Sequence, residues 1–481
     1  MTETDVPGPT GLPLLGNTLG WARDPLAFHE RLADYGRVAR YEALGQERYL
    51  LTDPADIERV LTDTETFPKH EGSIDQLSEI VGSGLLTSEG ELWERQRGAI
   101  QPAFYMDHIK RYADVMVDRA TAAADRFTPG ETVDVHAELT RTTLEILLDC
   151  MFGADVDFEE RGLYDTVGTL QTPLKPDNQP ITLFAPDWLP VPMLRRAERA
   201  RGELRETVTD ILEQRRENGA DRTDLLSMLL ESDTAMPDEQ IRDEMLTFLV
   251  AGHETTALAL TYTLDLLSRN PEAERRLHAE LDETLSGRPA IEDVFAFEYT
   301  EAVVKESMRL YPPAYEIRRE PSEPVQFGDY TVPEGSLLLL PVWVLHRDER
   351  FWDAPEQFRP ARWLDADSDR PDFAYFPFGG GPRRCIGRQF AMTEAQLVLA
   401  TLLSGWRFER AYEDMELAPA VTLKPATDVE MTLRRRARPA GADSGGGGAD
   451  RPDTSYPGDI YNTNGVQLSR VPGCASDSPP G

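Results

Sequence analysis

Residues 236–271 leave this chain little conformational choice. Met236-Pro237-Asp238-Glu239 reads as a helix start, with proline at the entry and acids in the first turn. No further proline intervenes before Pro271, so the helix can run about 32 residues to Asn270, well beyond the ~10–14 typical of globular proteins. Its middle, Met245–Leu267, is nearly all apolar. A helix that is apolar all round is buried all round, so the rest of the fold must pack about this rod. Polar groups interrupt it at Ala251-Gly252-His253-Glu254-Thr255-Thr256. Buried polar groups need partners or a purpose. A threonine hydroxyl there can bond back to the preceding turn and open the helix slightly. Taken alone, the motif reads equally well as a polar contact between packed helices.

The flanking patterns are mostly helical. Asp24–Tyr35, stretches of Glu91–Phe127, Pro271–Ser286, Tyr299–Leu310 and Arg388–Ser404 have helical spacing. Val38–Ala43 and Glu47–Leu51 alternate about Gly45 as a hairpin, and Val325–Phe327, Tyr330–Val332 and Leu337–Val342 read as short strands. The expectation is a mainly α chain with small β-sheets (α+β). Residues 1–20, with Pro7, Pro9 and Pro13, form an irregular strap on a single domain, 1–436. Gly72–Gly90 reads as a loop. A proline-studded connector follows from Pro173 to Pro192, either a lid over a pocket or a packed loop. Residues 437–481, rich in Gly, Ser, Pro and Asp, cannot form a core and read as a disordered tail.

The sharpest chemical signal is Phe378-Gly379-Gly380-Gly381-Pro382-Arg383-Arg384-Cys385-Ile386-Gly387. A cysteine in a glycine-rich loop before a helix sits near that helix's positive end, which favours thiolate and should lower its pKa. Glycines let backbone pass close to a flat cofactor, with N–H groups turned to the sulfur. Arg383 offers a cation for a propionate, and Phe378 can shield the sulfur. A nucleophilic cysteine would need a partnered histidine, and none lies nearby in sequence. A buried structural cysteine has no use for so many glycines.

Every fixed position of Phe-x-x-Gly-x-Arg-x-Cys-x-Gly is present, and in this the chain resembles the cytochrome P450 superfamily. The resemblance spans roughly residues 7–434, with four motifs in the family's order. It implies the family fold, with haem b held between the long central helix and the helix after the cysteine loop. Cys385 would ligate the iron, and Gly381 and Gly387 would shape the loop. Glu306-Ser307-Met308-Arg309 fits the Glu-x-x-Arg helix motif, which Arg362 would complete as a buried network. Trp93 and Arg97, four residues apart on one helix face, together with Arg319 and His346, are similar to haem-contacting positions. Glu254 and Thr255 look like the acid–alcohol pair that delivers protons to bound dioxygen (O2). No fused reductase is visible, so the resemblance implies a ferredoxin-type donor with its own reductase. The pocket segments Gly84–Thr87, Leu183–Met193, Phe248–Ala251 and Ala314–Ile317 are mostly apolar, which suits a hydrophobic small-molecule substrate. Glu316 among them is out of place: it could meet a polar substrate group, but it reads more readily as a solvated turn residue. A haem-thiolate isomerase or dehydratase, a peroxygenase, and a non-catalytic haem sensor are the alternatives; Glu254-Thr255 weighs against the last two.

Composition sets the surroundings. Asp plus Glu is 85 against 50 Lys plus Arg, a net charge of −35. Only five of the basic residues are lysines: Lys69, Lys110, Lys175, Lys305 and Lys424. Such a field repels nucleic acid and anionic membranes. It fits a halophilic cytoplasm, where the Debye length falls to about 3 Å at 1 M salt and self-repulsion costs little. Cys150, Cys385 and Cys474 are too few and too scattered for a disulfide framework. No signal peptide or apolar run of about 20 residues is seen. The expectation is a soluble, cytoplasmic monomer without a membrane anchor.

Overall fold

A computed structural model describes residues 5–153, 163–172, 191–218, 224–231, 236–365 and 369–436. The chain divides into two compact units, Met1–Arg438 and Pro439–Gly481, and every described residue lies in the first. Most of the proline-studded connector and of the Leu183–Met193 pocket segment, the tail from 437 and Cys474 lie outside the described residues.

The elements that position the site come in this order: α1 (Pro25–Ala33), β1 (Val38–Ala43), β2 (Gln46–Leu51), α2 (Gly90–Ile100), α3 (Met106–Arg126), β3 (Thr132–Asp134), α4 (Val135–Phe152), α5 (Asp238–Arg269), α6 (Glu298–Leu310), β4 (Ile317–Arg319), β5 (Leu337–Leu340), α7 (Arg388–Gly405), β6 (Trp406–Arg410) and β7 (Glu430–Arg435). The chain is helix-rich with small sheets, as its patterning predicts.

α5 is the rod read from the sequence, 32 residues long and buried over most of its turns from Ile241 to Leu267. α4 crosses it so closely that a Cβ on Gly252 would lie 2.9 Å from Leu147 Cδ2. Thr143 of α4 adds a hydroxyl bond to the His253 carbonyl, 3.1 Å. α7 joins α3 and the end of α5 in one apolar cluster that includes Leu260, Leu264, Phe390, Leu397 and Val398.

Of the four sheets among the described residues, the largest has the order β1-β2-β5-β4 and the three-stranded one β3-β7-β6. β1 and β2 are joined by Leu44-Gly45, both with positive φ (57° and 74°), the mirror-image turn whose twist matches a hairpin. β2 runs parallel to β5, and β4 runs antiparallel to it. No helix among the described residues is long and apolar enough to cross a membrane.

The stretch read as a loop at Gly72–Gly90 contains a helix, Glu71–Val81. Gly72, Ser73 and Ser78 disguise it. Its start is fixed by His70, whose Nδ1 accepts the Ser73 N–H at 3.2 Å, and Ile74, Leu77 and Val81 then recur at helical spacing. The strap is irregular through Asn17, where a short helix, Thr18–Arg23, begins.

Candidate active site

A cavity of about 2340 Å³ runs between the middle of α5, the cysteine loop, α2 and the β1–β2–β5–β4 sheet. Thr247, Phe248, Ala251, Gly252, Thr255 and Thr256 contribute the α5 wall, and Phe378, Arg383, Cys385 and Gly387 the loop wall. Cys385 lines this space; its N–H donates to the Phe378 carbonyl at 2.9 Å, closing the loop. Burial pushes its thiol up, against the Gly387 N–H and the charges of Arg97, Arg384 and Arg388. The lowered thiol pKa expected from the helix terminus is therefore not what the protein alone produces, because desolvation outweighs it. Gly381 does not line the cavity. Its φ is +64°, and a Cβ there would lie 2.1 Å from the Leu61 carbonyl oxygen, so it serves the loop's close approach to the helix Pro54–Thr62.

Basic side chains gather at one edge. Lys69, Arg97, Arg319 and Arg383 all line the cavity, with Trp93 beside them. Arg383 pairs with Glu89 and lies over the Trp93 ring at 5.5 Å. Arg97 donates to the Arg384 carbonyl at 3.0 Å, and Arg319 to that of Arg318 at 2.8 Å. Burial, followed by the Arg383 charge, pushes Arg319 down to about 10. Lys69, which sequence reasoning missed, donates to the carbonyls of Ser88 (2.7 Å) and Leu85 (3.2 Å), and burial pushes it down to about 7. The Nε atoms of Arg319 and Arg383 are buried without a partner. Three arginines and Lys69 near the Glu89 carboxylate, with two orphaned donors, form a cradle for added negative charge. The two propionates of the haem implied by the resemblance fit it.

The α5 motif divides. The Thr255 hydroxyl bonds the Ala251 carbonyl at 3.2 Å and faces the cavity with Thr256. Successive helix residues diverge by about 100°, and Glu254 points away from the cavity. It pairs with Lys424 and accepts from the Thr422 hydroxyl at 3.0 Å. His253 is buried against the Leu249 carbonyl (2.8 Å), and burial pushes it down to about 4. Glu394 of α7 was also missed. It is buried beside Thr256, and burial pushes its carboxyl well above the usual range, opposed by the Thr256 hydroxyl. A lone acid in the run Phe390–Leu403 was the signal.

Glu306, Arg309 and Arg362 do assemble. Arg309 grips Glu306 through Nε (3.0 Å) and Nη2 (2.9 Å), and Arg362 Nε reaches Glu306 Oε1 at 3.0 Å. Trp363 Nε1 (2.8 Å) and the Arg359 N–H (3.0 Å) complete the carboxylate's shell. Glu306 and Arg309 are both 0 % exposed, so this is no solvated surface pair. His346 lies with this network and not on the cavity. Its carbonyl accepts from Arg309 Nη1 at 2.7 Å and its Nε2 from the Phe376 N–H at 3.1 Å, bracing the approach to the cysteine loop. Glu316 is not solvated either: its side chain is 8 % exposed, bound by Arg318 and flanked by His29 at 3.8 Å.

The comparisons agree with this geometry. A family model described as Cytochrome P450 matches residues 6–428. A cyclooctat-9-en-7-ol 5-monooxygenase of Streptomyces melanosporofaciens is 36% identical over 412 residues, covering 83% of this chain and 88% of the relative. A pentalenene oxygenase of Streptomyces avermitilis is 31% identical over 443 residues, covering 90% and 97%. Among solved structures, the cytochrome P450DA heme domain superposes with a TM-score of 0.83 at 25% identity, over 91% of this chain and 98% of that one. With its cysteine loop, its cationic cradle and its buried Glu–Arg–Arg network in one fold, the chain belongs to the cytochrome P450 family of haem-thiolate monooxygenases.

Proposed function

We propose that this monooxygenase holds haem b with Cys385 as the iron's thiolate ligand and oxidises a hydrophobic isoprenoid. The observation that carries the reading is that Cys385 and Thr255 face one cavity with a cationic cradle at its edge. Haem, when bound there, supplies dioxygen activation and oxygen-atom insertion. The chain's own residues do the rest. Coordination to a metal deprotonates a thiol outright, which overcomes the burial that raises Cys385. The Gly387 N–H tempers the sulfur's charge, and Phe378 screens it from water. Arg97, Arg319, Arg383 and Lys69 neutralise the propionates. Thr255 offers a hydroxyl proton inside the cavity, and Glu254 acts behind it as a carboxylate that reaches solvent through the Lys424 pair.

The mainly apolar α5 wall supports a hydrocarbon substrate, and two relatives are named for cyclooctat-9-en-7-ol and pentalenene. Electrons come from a ferredoxin-type partner with its reductase. It docks at the exposed Arg384 and Arg388; Arg383, buried against Glu89, takes no part. The scarcity of lysine and the charge of −35 support a high-salt cytoplasm and a monomer kept apart by like charge.

The test is a spectral titration of the ferric protein with cyclic terpenes, beside Cys385→Ser. Terpenes should displace water from the haem, and the variant should lose the red-shifted reduced carbon-monoxide band. A Cys385→Ser protein that kept that band would overturn the thiolate assignment.

A further inference from the structure

The cavity wall carries a second, chemically different region on the sheet. Arg48 of β2 stands opposite Leu337, and Arg318 of β4 stands opposite Leu339, both on β5. Side chains two apart on a strand share a face, so the two guanidiniums lie on the same face of the sheet. Both line the cavity, as does Glu316. Arg48 is 7 % exposed, stacks over Trp21 at 4.7 Å, and has a buried Nε without a partner. Arg318 binds Glu316 through Nε (2.7 Å) and Nη2 (2.5 Å), yet its side chain stays 37 % exposed.

Glu316 is the carboxylate bonded to this pair. Burial alone would raise it, but Arg318 and, less strongly, Arg48 hold it below the usual carboxylate range, so it is ionised. His29, 3.8 Å from Glu316 and bonded to the Tyr41 hydroxyl at 3.0 Å, is pushed down to about 4 by burial and stays neutral. His70 is pushed down as well, chiefly by burial. Two further carboxylates line the cavity and are bonded elsewhere: Glu30 takes Trp343 Nε1 at 2.6 Å, and Glu320 takes the Glu71 N–H at 3.1 Å. Of these carboxylates Glu316 alone is bonded to the pair, through Arg318, and Arg48 keeps an unused N–H. A hydrocarbon has no use for that N–H. A pair of arginines is matched best by a carboxylate, through charge-assisted hydrogen bonds.

We infer that Arg48 and Arg318 bind the carboxylate of an amphipathic substrate, whose apolar body extends along the cavity toward Thr255 and Cys385. The inference rests on the isoprenoid reading above and narrows it to isoprenoid acids. A substrate of this kind has already been oxidised or hydrolysed at one end, so this enzyme follows an acid-forming reaction. Glu316 tunes the site by occupying one edge of Arg318.

The experiment titrates the haem-loaded protein, at fixed salt, with farnesoic acid and with methyl farnesoate, and follows water displacement through haem absorption. The acid should bind at least about tenfold more tightly than its ester, a difference of about 1.4 kcal/mol. Arg318→Gln should abolish that preference while leaving ester affinity unchanged, and Glu316→Gln should enlarge it by freeing Arg318. The reduced carbon-monoxide spectrum of each variant reports an intact haem site independently. Equal binding of acid and ester by the parent protein, or equal weakening of both by Arg318→Gln, overturns the carboxylate site and leaves the isoprenoid reading standing. Failure of both ligands to perturb the haem overturns the two together.

Discussion

Glu306→Leu is the most informative single substitution in this molecule. It removes the acceptor of five donors: Arg309 Nε and Nη2, Arg362 Nε, Trp363 Nε1 and the Arg359 N–H. Arg309 is fully buried, so its charge would remain without a counter-ion. Breaking a buried pair from one side costs about 3–5 kcal/mol. Unfolding entropy is about 2.1 cal/mol/K per residue, so a unit of roughly 430 residues has a slope near 0.9 kcal/mol/K. The expected loss in Tm is therefore about 3–6 °C, read by calorimetry on the haem-loaded protein, with reduced haem occupancy on purification. The double variant Glu306→Leu/Arg309→Met should recover part of that loss, because the stranded charge is gone. A Tm shift below about 1 °C, or a double variant as unstable as the sum of the singles, would refute the reasoning.

Other perturbations follow from the same geometry. Glu254→Gln should slow turnover and enlarge the solvent isotope effect, whereas Lys424→Met, which frees the Glu254 carboxylate, should shift the pH profile and leave turnover largely intact; equal losses in both would mean that the pair is only structural. His29 and His253 are held neutral, each pushed to about 4 against an unfolded value near 6.5. The unfolded state then binds more protons, so stability should be full above pH 6.5 and fall as the pH drops to about 4; His29→Gln should flatten part of that slope, and an unchanged slope would exclude His29 as a source. Melting in a KCl series should show stability rising with salt as the −35 net charge is screened, and a maximum at low salt would remove the halophilic reading.

Much of this site is legible in sequence because its chemistry is local. The cysteine loop and the α5 motif each lie within about ten residues, and the periodicity of α5 declares its burial directly. What is lost is whatever depends on distant partners. Glu254 and Thr255 look like one pair until Lys424, 170 positions away, turns the acid outward. Glu316 resembles a turn residue until Arg318 and His29 close around it. Lys69 stands out only once burial is known, whereas Glu394 is signalled as the lone acid of an apolar run. The helix Glu71–Val81 hides behind glycine and serine, since tertiary packing and a histidine cap can override weak propensity.

Arg309 also writes the path of chain that has no regular structure of its own. Besides Glu306 it holds the carbonyls of His346, Pro355 and Gln357, at 2.7, 2.7 and 3.2 Å. One side chain thus acts as a template for a stretch of backbone far longer than itself. Lysine, with a single ammonium, could not copy that fan of bonds. A chimera exchanging α6 between relatives would have to carry residues 346–363 along with it, because the two segments form a single inheritable unit although 35 residues separate the end of one from the start of the other.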